Sequence, residues 1–217
     1  MNALSTMLLI SDAFVELCDE MPLRKVSISD IVERTGKNRK TFYYHFENKD
    51  RLIIWIFRYD MGQCLKQHFS ESVLLYDDDP EDPTSRFPYY ITQKSGVRSL
   101  DHAEFFQCFA EVLEGRRNFY RQALVDNGPY SLRNYLYALY LEAMKRDIDI
   151  ILSNRYLPKD NIDFLAEFYT CAFLYYFIRK CDQPGADRLT GQAGPFANII
   201  HSSLENEIKE AQMRRNL

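Results

Sequence analysis

Three cations crowd the start of one short amphipathic segment: Lys37, Arg39 and Lys40, with Asn38 between them. The first turn of a helix carries unpaired amides and the positive end of the macrodipole, so it favours acids over bases. Cations at that position cost stability unless an external polyanion docks there, where amides, dipole and basic side chains together hold phosphate. Winding Arg39 to Phe46 at roughly 100° per residue puts Phe42 and Phe46 on one stripe. Lys40, Thr41 and Tyr44 then fall on the opposite face, flanked by Tyr43 and His45. The chemistry this pattern fits is duplex recognition. Lys40 and Thr41 are placed to reach base edges, Lys40 favouring guanine acceptors. Ser27, Tyr43, His45 and Lys49 are placed to hold phosphates, and Lys37, Asn38, Arg39 and Tyr44 complete the surface.

Two short helices joined by a polar turn must position these side chains. Ser27 and Asp30 stand three apart, the spacing of a capping box, and start the first. Gly36 can take the left-handed conformation that closes it, and Asn38 can cap a second helix from Arg39. Upstream, Met7, Ile10, Phe14, Leu17 and Met21 recur at spacings of three and four, the seam of an amphipathic helix that Pro22 stops. Ile31, Val32, Phe42 and Phe46 can share one small core with it, giving a three-helix unit.

The run Thr41-Phe42-Tyr43-Tyr44-His45-Phe46, followed by Asn48-Lys49 and Leu52, resembles the signature of the TetR family of bacterial transcriptional regulators. The Lys37-Asn38 turn departs from the apolar residue and serine more usual there. The continuation Trp55-Ile56-Phe57 is similar, more weakly, to a subgroup that includes regulators of dihydroxyacetone utilisation. The resemblance implies an all-α protein, with residues 1–48 a helix-turn-helix DNA-binding domain and residues 49–217 a helical ligand-binding and dimerisation domain, joined by a shared fourth helix. It also implies a homodimer on a roughly palindromic operator, an unknown small-molecule effector that shifts the fourth helix, and repression as the usual outcome. The alternative is an activator or co-regulator whose large domain binds a protein partner.

Composition agrees with a helical protein: 8 Gly, 8 Pro and scarce hairpin dipeptides over 217 residues. The net charge of -4 argues against nucleic acid until it is divided along the chain. Residues 21–51 hold eight basic and four acidic side chains, while residues 1–20 hold four acids and no Lys or Arg, so the basic density is local. No signal peptide or membrane span is evident, and a cytoplasmic protein is expected. Five cysteines, at 18, 64, 108, 171 and 181, lack metal-type spacing and read as reduced, mostly core thiols. Neither a metal nor a cofactor is expected. Nucleophile elbow, Gly-rich phosphate loop, HExxH and Cys-x-x-Cys are all missing, so no catalytic residues are assigned. His68, His102 and His201 are isolated, and Asp147 and Asp149, two apart, point to different helix faces and read as solvated.

After Asn48, a helix cap, Leu52 to Phe57 is apolar all round, so that helix is expected to be buried on more than one side. Residues 76–96, acidic and Pro-rich at first, read as a long solvated loop. Helical periodicity resumes at Asp101, breaks near Gly115, and returns in a long helix opened by Ser131, another capped by Asp160 or Asn161, and a last one begun by Pro195. By resemblance, an effector pocket would lie near Phe105, Phe109, Phe119, Tyr120, Tyr137, Tyr140 and Tyr169. The dimer interface would use Phe173 and Phe177 with Phe196, Ile199, Ile200 and Leu204 of the last helix.

Overall fold

The computed structural model describes residues 2–153, 155–183 and 188–213, excepting the side chains of 192, 195–201, 204 and 212. Helix dominates them: α1 (Ala3–Glu20), α2 (Ile28–Thr35), α3 (Arg39–His45), α4 (Lys49–His68), α5 (Ala103–Gly115), α6 (Arg117–Ala123), α7 (Leu132–Leu152), α8 (Lys159–Asp182) and α9 (Thr190–Met213). The all-α class stands.

The local signals act as expected at the amino-terminal end. Ser27 and Asp30 form a reciprocal capping box, Gly36 closes α2 at φ 63°, and Asn38 caps α3 through the Thr41 amide. Ile10, Phe14, Leu17, Val26, Ile31, Phe42, Phe46 and Leu52 are buried where α1, α2, α3 and the start of α4 meet. α4 is capped by Asn48, and every residue from Leu52 to Arg58 is buried. An unbroken buried run on a helix of 20 residues means that neighbours cover it on all sides.

One of those neighbours is the segment expected to be a solvated loop, and here the expectation fails. Residues 70–100 form a strap across α4, with β1 (Leu74–Leu75) pairing antiparallel with β2 (Tyr90–Ile91) and β3 (Lys94–Gly96) with β4 (Ser99–Leu100). Two of its aspartates are partnered on α4: Asp82 meets Arg51 at 3.0 Å and Asp77 meets Arg58. Within it, Phe87, Tyr89, Tyr90 and Ile91 are buried. Gly62 permits the close approach, since a Cβ there would lie 2.8 Å from the Phe87 Cβ.

In the carboxy-terminal part, aromatic rings of α5, α7 and α8 interlock edge to face, the favoured ring geometry. Centroids of Phe109, Tyr140 and Phe177 lie 5.2–5.4 Å from a neighbour in this group, as does Phe106 from Phe173. Two helix starts differ from expectation. α8 begins at Lys159 behind Pro158, whose fixed φ suits a helix entry, so neither Asp160 nor Asn161 is the cap. α9 begins at Thr190, ahead of Pro195, because burial of Leu189 and Ala193 holds the earlier turn in place. No helix among the described residues is long and apolar enough to cross a membrane.

Candidate nucleic-acid interface

The residues assigned to DNA from the sequence gather at α2, α3 and the start of α4. Phe42 and Phe46 face inward, wholly or almost wholly buried, and the side chains opposite them face out: Tyr44 is 82% exposed and Tyr43 56%. Lys40, Arg39 and Asn38 are exposed as well, while Thr41, His45 and Lys37 are half-buried. Little of the Tyr44 ring is covered, its one close ring neighbour among the described residues being His45 at 4.9 Å, and Lys40 is exposed one turn before it. Both carry donors of the kind that reach groove edges or phosphates.

Several of these side chains already have partners. Arg39 donates to the Ser29 hydroxyl, tying α3 to the first turn of α2. The Thr41 hydroxyl donates to the Asn38 side-chain oxygen at 3.2 Å, so both belong to the cap as well as to the surface. The Ser27 hydroxyl donates to Asp30 at 2.8 Å, and with the Ser27 amide it holds the Asp30 carboxyl below the usual range. Lys49 donates to the Val26 carbonyl at 2.6 Å, pinning the start of α4 to the loop ahead of α2. Burial pushes the His45 imidazole below its ordinary value.

Behind α3, aromatic rings run from the exposed face into the protein. Phe42 contacts Phe46 at 5.8 Å and Phe46 contacts Trp55 of α4 at 5.8 Å. Trp55 stacks on Tyr59 at 5.2 Å and meets Phe87 of the strap edge-on at 5.8 Å. The sequence marked Phe42, Phe46 and Trp55 as apolar but not Tyr59 or Phe87, and gave no means of seeing that the rings are contiguous.

The other predicted sets divide differently. Phe105, Phe109 and Tyr140 do come together, all buried. Phe119 lies instead against Phe14 of α1 at 5.8 Å, and Tyr120 donates to Asp60 of α4 at 2.6 Å. Tyr137 lines a separate groove of about 290 Å³ with Cys171 and Tyr175, and Tyr169 faces Ser203 of α9 at 3.0 Å. The seven therefore do not form one site. Another cavity, of about 550 Å³, lies between the starts of α4 and α7, bounded by Arg51, Ile54, Tyr130, Asn134, Tyr135 and Ala138.

Phe173 and Phe177, expected at a dimer interface, are 2% and 0% exposed inside the core of the single chain, a correction to that assignment. The apolar excess of α8 was real, but its outward members are Phe164, Phe168 and Tyr175, each more than half exposed. The side chains of Phe196, Ile199, Ile200 and Leu204 lie outside the described residues.

Asp147 is also corrected. It and Asp149 do point to different faces, but one of those faces is the core: Asp149 is exposed and Asp147 is 1% exposed. Asp147 accepts from the Tyr90 hydroxyl at 2.7 Å and has His102 at 3.4 Å, and burial pushes its carboxyl up to about 8.

A three-helix unit that presents its basic, tyrosine-rich third helix outward defines a helix-turn-helix DNA-binding regulator. Comparison with known proteins makes this specific. Residues 10–54 match the family model of the bacterial regulatory proteins of the tetR family, and residues 101–179 match that of a transcriptional regulator C-terminal region. The chain belongs to the TetR family, whose members are DNA-binding regulators and not enzymes. It is 30% identical over 67 residues to the HTH-type dhaKLM operon transcriptional activator DhaS of Lactococcus lactis subsp. lactis. That match spans 31% of this chain and 36% of the relative, about a third of each. Among solved structures, the dihydroxyacetone kinase operon activator DhaS superposes with a TM-score of 0.56 at 16% identity, covering 92% of this chain and 96% of that one, a likeness of fold.

Proposed function

We propose that this regulator binds a roughly palindromic operator as a homodimer through residues 1–48, with residues 49–217 dimerising and sensing an effector. The observation that carries the reading is α3: Phe42 and Phe46 anchor it inward while Lys40, Tyr43 and Tyr44 face solvent. Lys40 and Thr41 are the proposed base readers. Ser27, Lys37, Asn38, Arg39, Tyr43, Tyr44, His45 and Lys49 are the proposed backbone contacts. The exposed stripe Phe164, Phe168 and Tyr175 on α8 supports a two-fold interface on that helix, which would present two reading heads to half-sites about one helical turn or more apart.

An effector of ordinary drug-like size fits the cavity between the starts of α4 and α7, whose volume of about 550 Å³ falls in the usual range for such sites. A ligand there would touch Arg51 and Ile54 directly and so bias the tilt of α4, provided that its affinity differs between two states. Repression by the ligand-free dimer is the preferred outcome. A second reading, activation through a protein partner, is favoured by the interlocked rings of α5, α7 and α8 and by the name of the relative, a transcriptional activator.

The test is a selection of bound fragments from the source genome with the purified protein, repeated with Lys40→Ala. Lys40 as a base reader predicts relaxed preference at one operator position, at a cost of about 1–3 kcal/mol. Equal weakening on all sequences would reduce Lys40 to a phosphate contact, and no enriched fragment would refute operator binding.

A further inference from the structure

The far end of α4 carries a group of side chains that the DNA reading does not use. Cys64 and His68 stand four apart on α4, and Cys108 and Glu111 three apart on α5, so each pair shares one helix face. The two faces meet. A thiol from each of Cys64 and Cys108 and a ring nitrogen of His68 all lie within 4.8 Å of one another. The carboxylate oxygen Oε2 of Glu111 lies 3.7 Å from the Cys64 thiol and 3.7 Å from His68 Nε2. Bonds of about 2.3 Å to sulfur and 2.0–2.2 Å to nitrogen or oxygen give a tetrahedral zinc site edges of about 3.4–3.8 Å between ligand atoms. The spacings among Cys64, His68 and Cys108, and those of Glu111 Oε2 to Cys64 and His68, equal these or exceed them by no more than about 1 Å, within reach of small side-chain rotations.

The surrounding groups orient the four. His68 presents Nε2 to the cluster because its Nδ1 lies 3.3 Å from Glu104 Oε1, the carboxylate-histidine arrangement that fixes ring orientation and raises ligand basicity. Gln107 donates to Glu111 Oε1 at 3.2 Å, which leaves Oε2 turned toward the thiols and the imidazole. Cys108 is buried while Cys64, His68 and Glu111 keep solvent contact, and Cys64 and Glu111 border an open groove of about 290 Å³. An ion therefore has a path in.

We propose that Cys64, His68, Cys108 and Glu111 form a binding site for a divalent zinc-class ion that bridges α4 and α5, with Glu104 and Gln107 as positioning residues. Two sulfurs, an imidazole and a carboxylate suit Zn²⁺ and its spectroscopic substitute Co²⁺ better than Mg²⁺ or Ca²⁺, which take oxygen ligands. Binding replaces the thiol protons of Cys64 and Cys108, which leave to solvent, and no electron is transferred. The sequence missed this site because its halves are 40 residues apart, from His68 to Cys108, and neither half alone has a familiar metal spacing.

The test is titration of the reduced, full-length protein with Co²⁺, followed by displacement with Zn²⁺. The site predicts one ion per chain, thiolate-to-cobalt charge transfer in the near ultraviolet and the intense visible bands of tetrahedral cobalt. Cys64→Ser and His68→Ala should weaken binding by about 100-fold or more, and Glu104→Gln by about 10–100-fold. Cys171→Ser, at the exposed cysteine on α8, should leave it unchanged. X-ray absorption of the zinc-loaded wild-type protein reads the ligands without any variant, and should return two sulfurs and two lighter atoms. Lack of thiolate charge transfer in the wild type, or the same spectrum in both Cys64→Ser and His68→Ala, would overturn the site. None of these readouts involves DNA, so the proposal stands or falls apart from operator binding.

Discussion

Arg58 offers the sharpest test of how the strap is held. Its side chain is 0% exposed, and it donates to Asp77, to the Tyr135 hydroxyl at 2.6 Å, to the Thr84 carbonyl at 3.2 Å and to the Phe87 carbonyl at 2.7 Å. Its guanidinium also lies over the Tyr89 ring, 5.2 Å from the centroid. Replacing it with leucine keeps the apolar stem and removes every donor. Asp77 is 30% exposed and can rehydrate, so its loss is the smaller part. The two carbonyls and the tyrosine hydroxyl lose a buried donor, at about 1–3 kcal/mol each when left unsatisfied. Repacking offsets some of this, and breaking a buried ion pair from one side gives a consistent total of about 3–5 kcal/mol. That is a large share of the roughly 5–15 kcal/mol that holds a typical domain.

Urea unfolding followed by Trp55 fluorescence suits the measurement, because Trp55 is the single tryptophan and touches Phe87 of the strap. With a slope of about 2–3 kcal/mol per molar, the midpoint for Arg58→Leu should fall by about 1–2 M. Arg58→Lys should recover less than half of the loss, since an ammonium cannot serve acceptors on several sides in one plane. Asp77→Asn should cost about 1–3 kcal/mol, because the amide oxygen still accepts from Arg58 but no longer compensates its buried charge. A loss below about 1 kcal/mol for Arg58→Leu would mean that the strap is held by its apolar residues alone, and the reasoning would fail.

Three further outcomes are expected. The Asp147 carboxyl sits at about 8 in the folded protein against an ordinary 3.8, so between those values the fold retains a proton that the unfolded chain has shed, and stability falls as pH rises. Asp147→Asn removes that slope and should shrink the stability difference between about pH 5 and pH 8 by a few kcal/mol; parallel pH profiles for the two proteins would refute it. Lys49→Ala should lower affinity for specific and random DNA alike and reduce the salt slope by about one unit if the lysine releases its bond to Val26 and reaches a phosphate. An unchanged slope together with lower stability would leave it as a purely structural pin. Phe164→Glu with Phe168→Glu places charge on side chains that are 64% and 55% exposed, so the chain should stay folded while its mass in solution drops to that of a monomer and operator affinity is lost; an intact dimer would move the interface off this face of α8.

Much of the amino-terminal unit was legible because its determinants are local. A capping box spans three residues, a left-handed glycine needs no partner, and an inward stripe repeats every three or four positions. The carboxy-terminal errors have one common origin: each depended on contacts between residues far apart in sequence. Asp147 read as solvated because nothing near it announces Tyr90 and His102, 57 and 45 positions away. The strap read as a loop because Asp77 and Asp82 look like solvent until Arg58 and Arg51 are set opposite them. For α8 the apolar excess was evident, but periodicity alone could not say which side the chain itself would cover.

The same distinction explains why α4 is where binding events at separate places could meet. A helix with one solvated face can slide or roll while most of its contacts persist, but α4 is buried on all sides from Leu52 to Arg58 and can move only as its neighbours repack. At its start, Lys49 fastens it to the loop before α2, and Phe46 lies against Trp55. At its middle, Arg58 and Gly62 fasten it to the strap, and Tyr120 of α6 bonds Asp60. At its end, Cys64 and His68 face Cys108 on α5. Under the proposed function, a displacement of α3 on DNA would strain contacts along the whole helix, and a ligand or ion that stiffens any one of them would change the free energy of that displacement. Under the proposed function, such coupling is reciprocal by thermodynamic necessity, so operator DNA must in turn alter the affinity for whatever binds beside α4.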